Sequence, residues 1–339
     1  MNTRRAFLKQ AGAVGVGVMS SPAAFANVAA QAESHHGKTM AMKDTRLLSI
    51  KHADGSESLG VVTESGVIDV RATAKKLGMH LPSTVDDLLR HNATDDLARL
   101  VENAAHSGVP FLNEAAITPG RLFANPGKII CVGLNYRQHA KEIGMPEPRV
   151  PPLFNKFNNA LAGHGCVINL PPKELSTKFD YETELLIVIG KACRNVAEGE
   201  ALDYVAGYCT ANDFSARDLQ MELPAGQWMI GKTLDNFAPI GPYFVSADLV
   251  GDPNNLKLET YVNGELRQSS NTSDFIFNTQ QMIAYISKHW TLEPGDIIFT
   301  GTPQGVIAGK PKEQQVWLKA GDDVVSSIEK LGELRFTLA

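Results

Sequence analysis

Two carboxylates stand at the head of a strongly apolar stretch: Glu182 and Glu184, one residue apart, open onto Leu185-Leu186-Ile187-Val188-Ile189. In an extended strand alternate side chains share a face, so this spacing would aim both acids the same way. Like charges side by side repel unless a positive charge lies between them. A third acid, Asp213, follows in Asn212-Asp213-Phe214-Ser215-Ala216-Arg217-Asp218. If it converges on the pair, the three make an oxygen-rich site of the kind preferred by Mg²⁺ or Mn²⁺. The competing reading is an exposed edge strand whose acids pair with Lys178 or Arg217. No Cys/His cluster points to zinc.

Other side chains would complete such a site. His139 and Glu142, in His139-Ala140-Lys141-Glu142, follow the apolar run Ile129–Val132 and the polar residues Asn135 and Tyr136, which suit a pocket-lining loop. On a short helix residues three apart touch. A carboxylate on one imidazole nitrogen fixes the tautomer and strengthens the other nitrogen as a base, able to deprotonate a metal-bound water. An exposed helical His–Glu pair without catalytic work is the simpler alternative. Arg217 is one helical turn beyond Asp213. Lys232, in Ile230-Gly231-Lys232-Thr233, and Lys156, in Leu153-Phe154-Asn155-Lys156, offer charge to hold a carboxylate or steady an enolate oxygen, although a solvated ammonium is the commoner fate. Gly301-Thr302-Pro303-Gln304-Gly305 lacks the Lys-Ser/Thr ending of a nucleotide loop, so Thr302 is read as offering its hydroxyl or backbone N–H to a bound carboxylate.

The elements that must position these groups are mostly strands. Expected strands are Ile129–Val132, Cys166–Asn169, Glu184–Ile189, Tyr204–Thr210, Ile240–Val245, Leu256–Val262, Asp296–Thr300, Val324–Ile328 and Glu333–Leu338. Helices are expected near Ser215–Met221 and over Asn278–His289. Residues 45–118 read as a small leading α/β domain with short strands around Asp54-Gly55 and a helix capped by Ser83 or Thr84. The Pro/Gly-rich stretch Thr118–Lys128 bounds it, and 119–339 reads as the catalytic domain. The fold class is α+β, mostly β.

Composition sets outer limits. A formal net charge of -5 gives no basic surplus for nucleic acid. Cys131, Cys166, Cys193 and Cys209 show no Cys-x-x-Cys spacing and read as free thiols, with disulfides an alternative in an oxidising compartment. Residues 1–40 differ in texture: Thr3-Arg4-Arg5-Ala6-Phe7-Leu8-Lys9, a Gly/Ala/Val-rich stretch, then Ala24-Phe25-Ala26 and Ala30-Gln31-Ala32 as cleavage candidates. This looks like a twin-arginine export signal, with Thr3 where Ser is usual, and implies a periplasmic protein, or a cytoplasmic one if the signal does not function. The run is too short and Gly-rich for stable membrane insertion.

Taken in order, several segments resemble the fumarylacetoacetate hydrolase family. They are Val132-Gly133-Leu134-Asn135-Tyr136 with His139 and Glu142, Asp180-Tyr181-Glu182-Thr183-Glu184, Asn212–Asp218, Gly231-Lys232, Phe237–Pro242, Val262–Glu265, and Pro294-Gly295-Asp296 with Thr300–Pro303. The resemblance runs from about Lys128 to Leu338. It implies a mixed β-roll catalytic domain, a homodimer, and one Mg²⁺, Mn²⁺ or Ca²⁺ held by Glu182, Glu184 and Asp213. It implies that His139 and Glu142 ride on a lid, that Lys232 is the lysine beside the metal, and that Arg217, Gln220 and Thr302 line the substrate pocket. Phe157 after Lys156, and Asn158-Asn159, depart from the family pattern and bear on specificity. The implied chemistry is hydrolysis of a carbon–carbon bond in a 2-oxo or β-diketo acid. Alternatives are isomerase, decarboxylase or lyase chemistry on a hydroxy-dienoate, oxo acid or ureidoglycolate-type substrate, or a silent binding protein. A reporter fused to residues 1–40 should leave the cytoplasm with Arg4 and Arg5 intact and stay inside when both are lysine; unchanged export in the double variant contradicts the signal.

Overall fold

The computed structural model describes residues 42–223 and 226–339, so the export-signal stretch lies outside the described residues. Strands in the first half are β1 (Arg46–Lys51), β2 (Glu57–Thr63), β3 (Gly66–Asp69), β4 (Ile129–Val132), β5 (Leu153–Asn155), β6 (Leu161–Gly163), β7 (Val167–Ile168), β8 (Phe179–Asp180) and β9 (Thr183–Ile189). The second half adds β10 (Val205–Asn212), β11 (Ser215–Ala216), β12 (Ala238–Ser246), β13 (Lys257–Val262), β14 (Glu265–Asn271), β15 (Ile297–Phe299), β16 (Asp323–Ile328) and β17 (Gly332–Leu338).

The apolar run that follows Glu184 becomes β9, buried along its whole length. Its neighbours are β10 on one edge and β15 on the other, in a ten-stranded sheet ordered β3-β2-β1-β12-β10-β9-β15-β4-β5, with β6 beside β12. Both faces of that sheet are covered, which is why β9 is continuously apolar rather than alternating. Leu186 and Val188 join a core with Cys131, Phe299 and the helical residues Leu88, Leu97 and Leu100. Leu185, Ile187 and Ile189 join the opposite core with Ile130, Ile298 and Met282, Ile283 and Ile286. The last three lie on the helix Thr279–His289, which opens with a capping box between Asn278 and Gln281.

A second sheet, β14-β13-β16-β17-β7, and the short pair β8–β11 enclose a third core around Phe179, Phe214, Phe237 and Phe336. The leading segment extends the main sheet: β1 pairs antiparallel with β12 through Arg46↔Val245 and Leu47↔Phe244. Residues 42–223 and 226–339 lie in one compact unit. The stretch expected to be helical from Ser215 begins instead as β11, pairing with β8, and turns helical at Arg217. Strand β14 and the helices Val70–Leu77 and Thr94–Asn103 have no counterpart among the expected elements. Asn278→Ala removes one cap of the only long helix on the Ile187 face among the described residues. It should cost about 1 kcal/mol in denaturant unfolding; no change would place that helix's stability in its packing alone.

Candidate metal centre

Glu182 immediately precedes β9, Glu184 is its second residue, and Asp213 immediately follows β10. The two strands are antiparallel, with Glu184 opposite Ala211 and Thr183 opposite Asn212. Pairing continues one step beyond them, because the Asp213 N–H donates to the Glu182 carbonyl at 2.9 Å. That register, fixed by the apolar ladder below it, carries all three acids to the same end of the sheet. All three are buried, and one oxygen from each lies within 4.8 Å of the others. Oxygens facing each other across Mg²⁺ stand about 4.2 Å apart, and across Ca²⁺ up to about 5 Å, so the spread suits one hard cation. The edge-strand placement is overturned, because β9 is central; of the two pairings it named, Arg217 does meet Glu182, whereas Lys178 pairs with Glu222.

Three cations surround the acids. Lys232 Nζ lies 2.7 Å from Glu182 Oε2 and 2.9 Å from Asp213 Oδ2. Arg217 reaches Glu182 Oε1 at 2.7 Å through Nη2 and Asp180 Oδ2 at 2.8 Å through Nε. Lys156 Nζ lies 2.6 Å from Asp213 Oδ1 but donates to the carbonyls of Phe214, Lys232 and Phe237. Asp213 Oδ1 thereby gains a neighbouring charge and no hydrogen bond, leaving its lone pairs available. Among the described residues no cation pairs with Glu184; its one hydrogen bond comes from the Gly301 N–H at 2.7 Å. Gly301 has φ +94°, and a Cβ there would come within 2.8 Å of Asn135 Cβ, so glycine is required for that donor to reach the carboxylate.

The titration behaviour follows. Burial pushes Glu182 upward, but Lys232 and Arg217 outweigh it and hold the carboxyl below its usual range. Burial lowers Lys232, yet Asp213 and Glu182 outweigh that, so the ammonium keeps its charge. Glu184 goes the other way: burial first, then the charges of Asp213 and Glu182, raise it well above the usual carboxylate range. The residues therefore fit a divalent cation, with Glu184 as the ligand whose charge the protein alone leaves uncompensated.

His139 and Glu142 lie on the helix Arg137–Glu142, with Nδ1 3.1 Å from Oε2. The second carboxylate oxygen of Glu142 accepts from the Gly305 N–H at 2.9 Å, which docks that helix on the same loop that serves Glu184. Thr302 spends its hydroxyl inside the protein, donating to the Thr183 carbonyl at 3.1 Å and accepting from Gln268 at 2.9 Å, which leaves its backbone N–H. Gln220 accepts from Arg217 at 2.9 Å. Asn135 and Tyr136 are buried rather than pocket-lining: the Asn135 amide bridges Phe277 and Thr300, and the Tyr136 ring packs edge-on against Phe275. The four cysteines are free, three of them buried. Asp180 was given no role from sequence, yet it accepts from Arg217 and from the N–H groups of Tyr181, Ile307 and Ala308. Its spacing, two before Glu182, was the available signal.

A mixed β fold with a buried carboxylate triad at one end of its main sheet defines a divalent-cation enzyme site. Residues 128–339 match the model of the fumarylacetoacetate (FAA) hydrolase C-terminal domain. The chain is 43% identical to the fumarylacetoacetate hydrolase domain-containing protein 2 homolog of Dictyostelium discoideum, over 82% of this chain and 92% of that one. It is 42% identical to a mitochondrial oxaloacetate tautomerase of Bos taurus, over 79% and 82%. The solved maleylpyruvate hydrolase of Sphingobium sp. SYK-6, in complex with manganese(II) and pyruvate, superposes with TM-score 0.69 at 30% identity, covering 87% of this chain and 98% of that one. The chain belongs to the fumarylacetoacetate hydrolase family.

Glu184 has an unfolded value near 4.5 and a raised folded one, so its burial weakens the metal-free protein as pH rises above 4.5 through the folded value. A cation held by Glu182, Glu184 and Asp213 would displace the proton and remove that penalty. The thermal shift produced by saturating Mn²⁺ should therefore grow from acid to neutral pH. Glu184→Gln should abolish that shift while leaving the metal-free protein at neutral pH at least as stable as the parent; a full shift in the variant would place the cation elsewhere.

Proposed function

We propose that this protein is a divalent-cation-dependent enzyme that interconverts the keto and enol forms of a 2-oxo acid of the oxaloacetate type. The observation that carries the reading is the charged Lys232 ammonium between Glu182 and Asp213, buried beside the uncompensated Glu184. An ammonium held in its charged form cannot act as a base; its use is to stabilise negative charge growing on an oxygen, as in an enolate. Lys232 donates to the developing enolate oxygen. Arg217 and Lys156 hold Glu182 and Asp213 in place and so keep the ligand geometry. His139, with Nδ1 against Glu142, takes the proton from the carbon beside the keto group through Nε2 and delivers it to the enolate oxygen. The O–H bond of the enol so replaces the C–H bond broken, and the reverse direction runs the same transfer backwards. Glu142, anchored by the Gly305 N–H, holds the imidazole by its Nδ1 in one orientation. The bovine tautomerase relative supports this reading.

A second reading, hydrolysis of a carbon–carbon bond in an acylpyruvate, is favoured by the same His139–Glu142 pair if its proton comes from water, and by the Sphingobium hydrolase. Both readings share the enolate, the lid and the ligands. We further propose that the enzyme acts as a homodimer and that residues 1–40 send it to the periplasm. The activity test is decay of enol absorbance for oxaloacetate in parallel with pyruvate release from acylpyruvates, with Mn²⁺ present. Tautomerisation without cleavage is expected, and His139→Asn should slow it roughly 10²- to 10⁴-fold. Cleavage of acylpyruvate as the faster reaction would reverse the order of the two readings, and turnover of neither would sink both.

A further inference from the structure

We infer that Gln268 is a positioning residue for the metal ligands: its side-chain amide stands in for the missing sheet partner of Thr183, the residue between Glu182 and Glu184. The inference rests on reading those two glutamates and Asp213 as ligands of one divalent cation.

The need for such a group comes from the strand lengths. Along one edge β9 is paired to its first residue, Thr183 against Asn212. Along the other edge β15 pairs only with Leu186 to Val188, and the Thr300 N–H reaches Leu185 at 3.2 Å. Alternate residues of a strand direct their backbone groups to the same edge. Thr183, two before Leu185, therefore faces the side where β15 has ended. A buried N–H and C=O left there unpaired would be costly. Gln268 Oε1 accepts from the Thr183 N–H at 3.2 Å, and Gln268 Nε2 donates to the Pro303 carbonyl and to Thr302 Oγ1, both at 2.9 Å. Thr302 Oγ1 in turn donates to the Thr183 carbonyl. Gln268 Oε1 thus takes the Thr183 N–H as a neighbouring strand would, and Thr302, held by Gln268 Nε2, serves the carbonyl.

The amide is also held from behind. Gln268 comes from β14 in the second sheet and is 1% exposed. Thr260 Oγ1 of β13 donates to Gln268 Oε1 at 2.6 Å. The Thr183 hydroxyl lies 2.5 Å from Thr260 Oγ1 and 2.7 Å from Ser326 Oγ of β16. Oε1 faces the donor-only Thr183 N–H, which fixes which end of the amide is oxygen. The second sheet is therefore tied through one side chain to both sides of Glu184: to the backbone just before it, and to the loop whose Gly301 N–H binds its carboxylate. Movement of Gln268 would shift Glu184 against Glu182 without touching either.

The test is Mn²⁺ affinity and the bound-ion electron paramagnetic resonance spectrum for the full chain, its Gln268→Leu and Thr302→Val variants, and Val324→Ala. The last removes core volume in β16 without removing any hydrogen bond to Thr183, Gln268 or Thr302, and so reports on stability. Gln268→Leu should weaken Mn²⁺ binding roughly tenfold or more and alter the spectrum, as outer-shell changes do at other metal sites. Thr302→Val, which cuts the link to the Thr183 carbonyl and keeps the side-chain shape, should move both in the same direction; it decides the matter if Gln268→Leu does not fold. Val324→Ala should lower Tm and leave affinity and spectrum as in the parent. Parental affinity and spectrum in both the Gln268 and Thr302 variants overturn the inference while leaving the metal reading intact. A parent protein that binds no Mn²⁺ overturns the ligand reading and the inference with it.

Discussion

Four carboxylates, Asp180, Glu182, Glu184 and Asp213, are buried together against three cations, and the shortfall falls on Glu184. Burying a charge is tolerable only when opposite charge and hydrogen bonds replace water. Lys232, Arg217 and Lys156 do this for three of the acids. Glu184 receives one backbone N–H and lies beside two like charges. A dication placed among Glu182, Glu184 and Asp213 corrects that imbalance. Metal binding and the stability of this end of the sheet are therefore one property, not two.

Much of the remaining architecture serves to hold that imbalance in place. The continuous apolar strand β9 sits between two cores and fixes the register that carries Glu184 and Asp213 to one end. The stretch from Gly301 to Ala308 then turns its backbone N–H groups onto three separate acids: Gly301 onto Glu184, Gly305 onto Glu142, and Ile307 with Ala308 onto Asp180. One loop so joins the ligand floor, the His139 helix and the support of Arg217. The helix and Glu184 are thereby held by the same loop.

Asp213, far along the chain, joined the other two acids only through the family resemblance. The Glu182–Glu184 pair was legible in the sequence because its logic is local: two acids at strand spacing, ahead of an apolar run long enough to be a central strand. The His139–Glu142 contact was legible for the same reason, being one helical turn. What sequence could not supply was partnership across distance. Lys178 and Arg217 were equal candidates to pair with the glutamates, and only the fold gives Arg217 to Glu182 and Lys178 to Glu222. Thr302 looked free for a ligand because nothing in the chain announces that Gln268 and Thr183 meet it. Short strands such as β8 and β11 exist only through each other, which is why Ser215 read as helix.

The central claim is that Glu182, Glu184 and Asp213 share one divalent cation because the protein alone leaves Glu184 uncompensated. Anomalous diffraction at the manganese edge, from crystals grown with Mn²⁺ at neutral pH, tests it most directly. The account predicts a single strong peak bonded to one oxygen from each of the three residues, with Lys232 still against Glu182 or Asp213. A peak that excludes Glu184, or none at this end of the sheet, would contradict it.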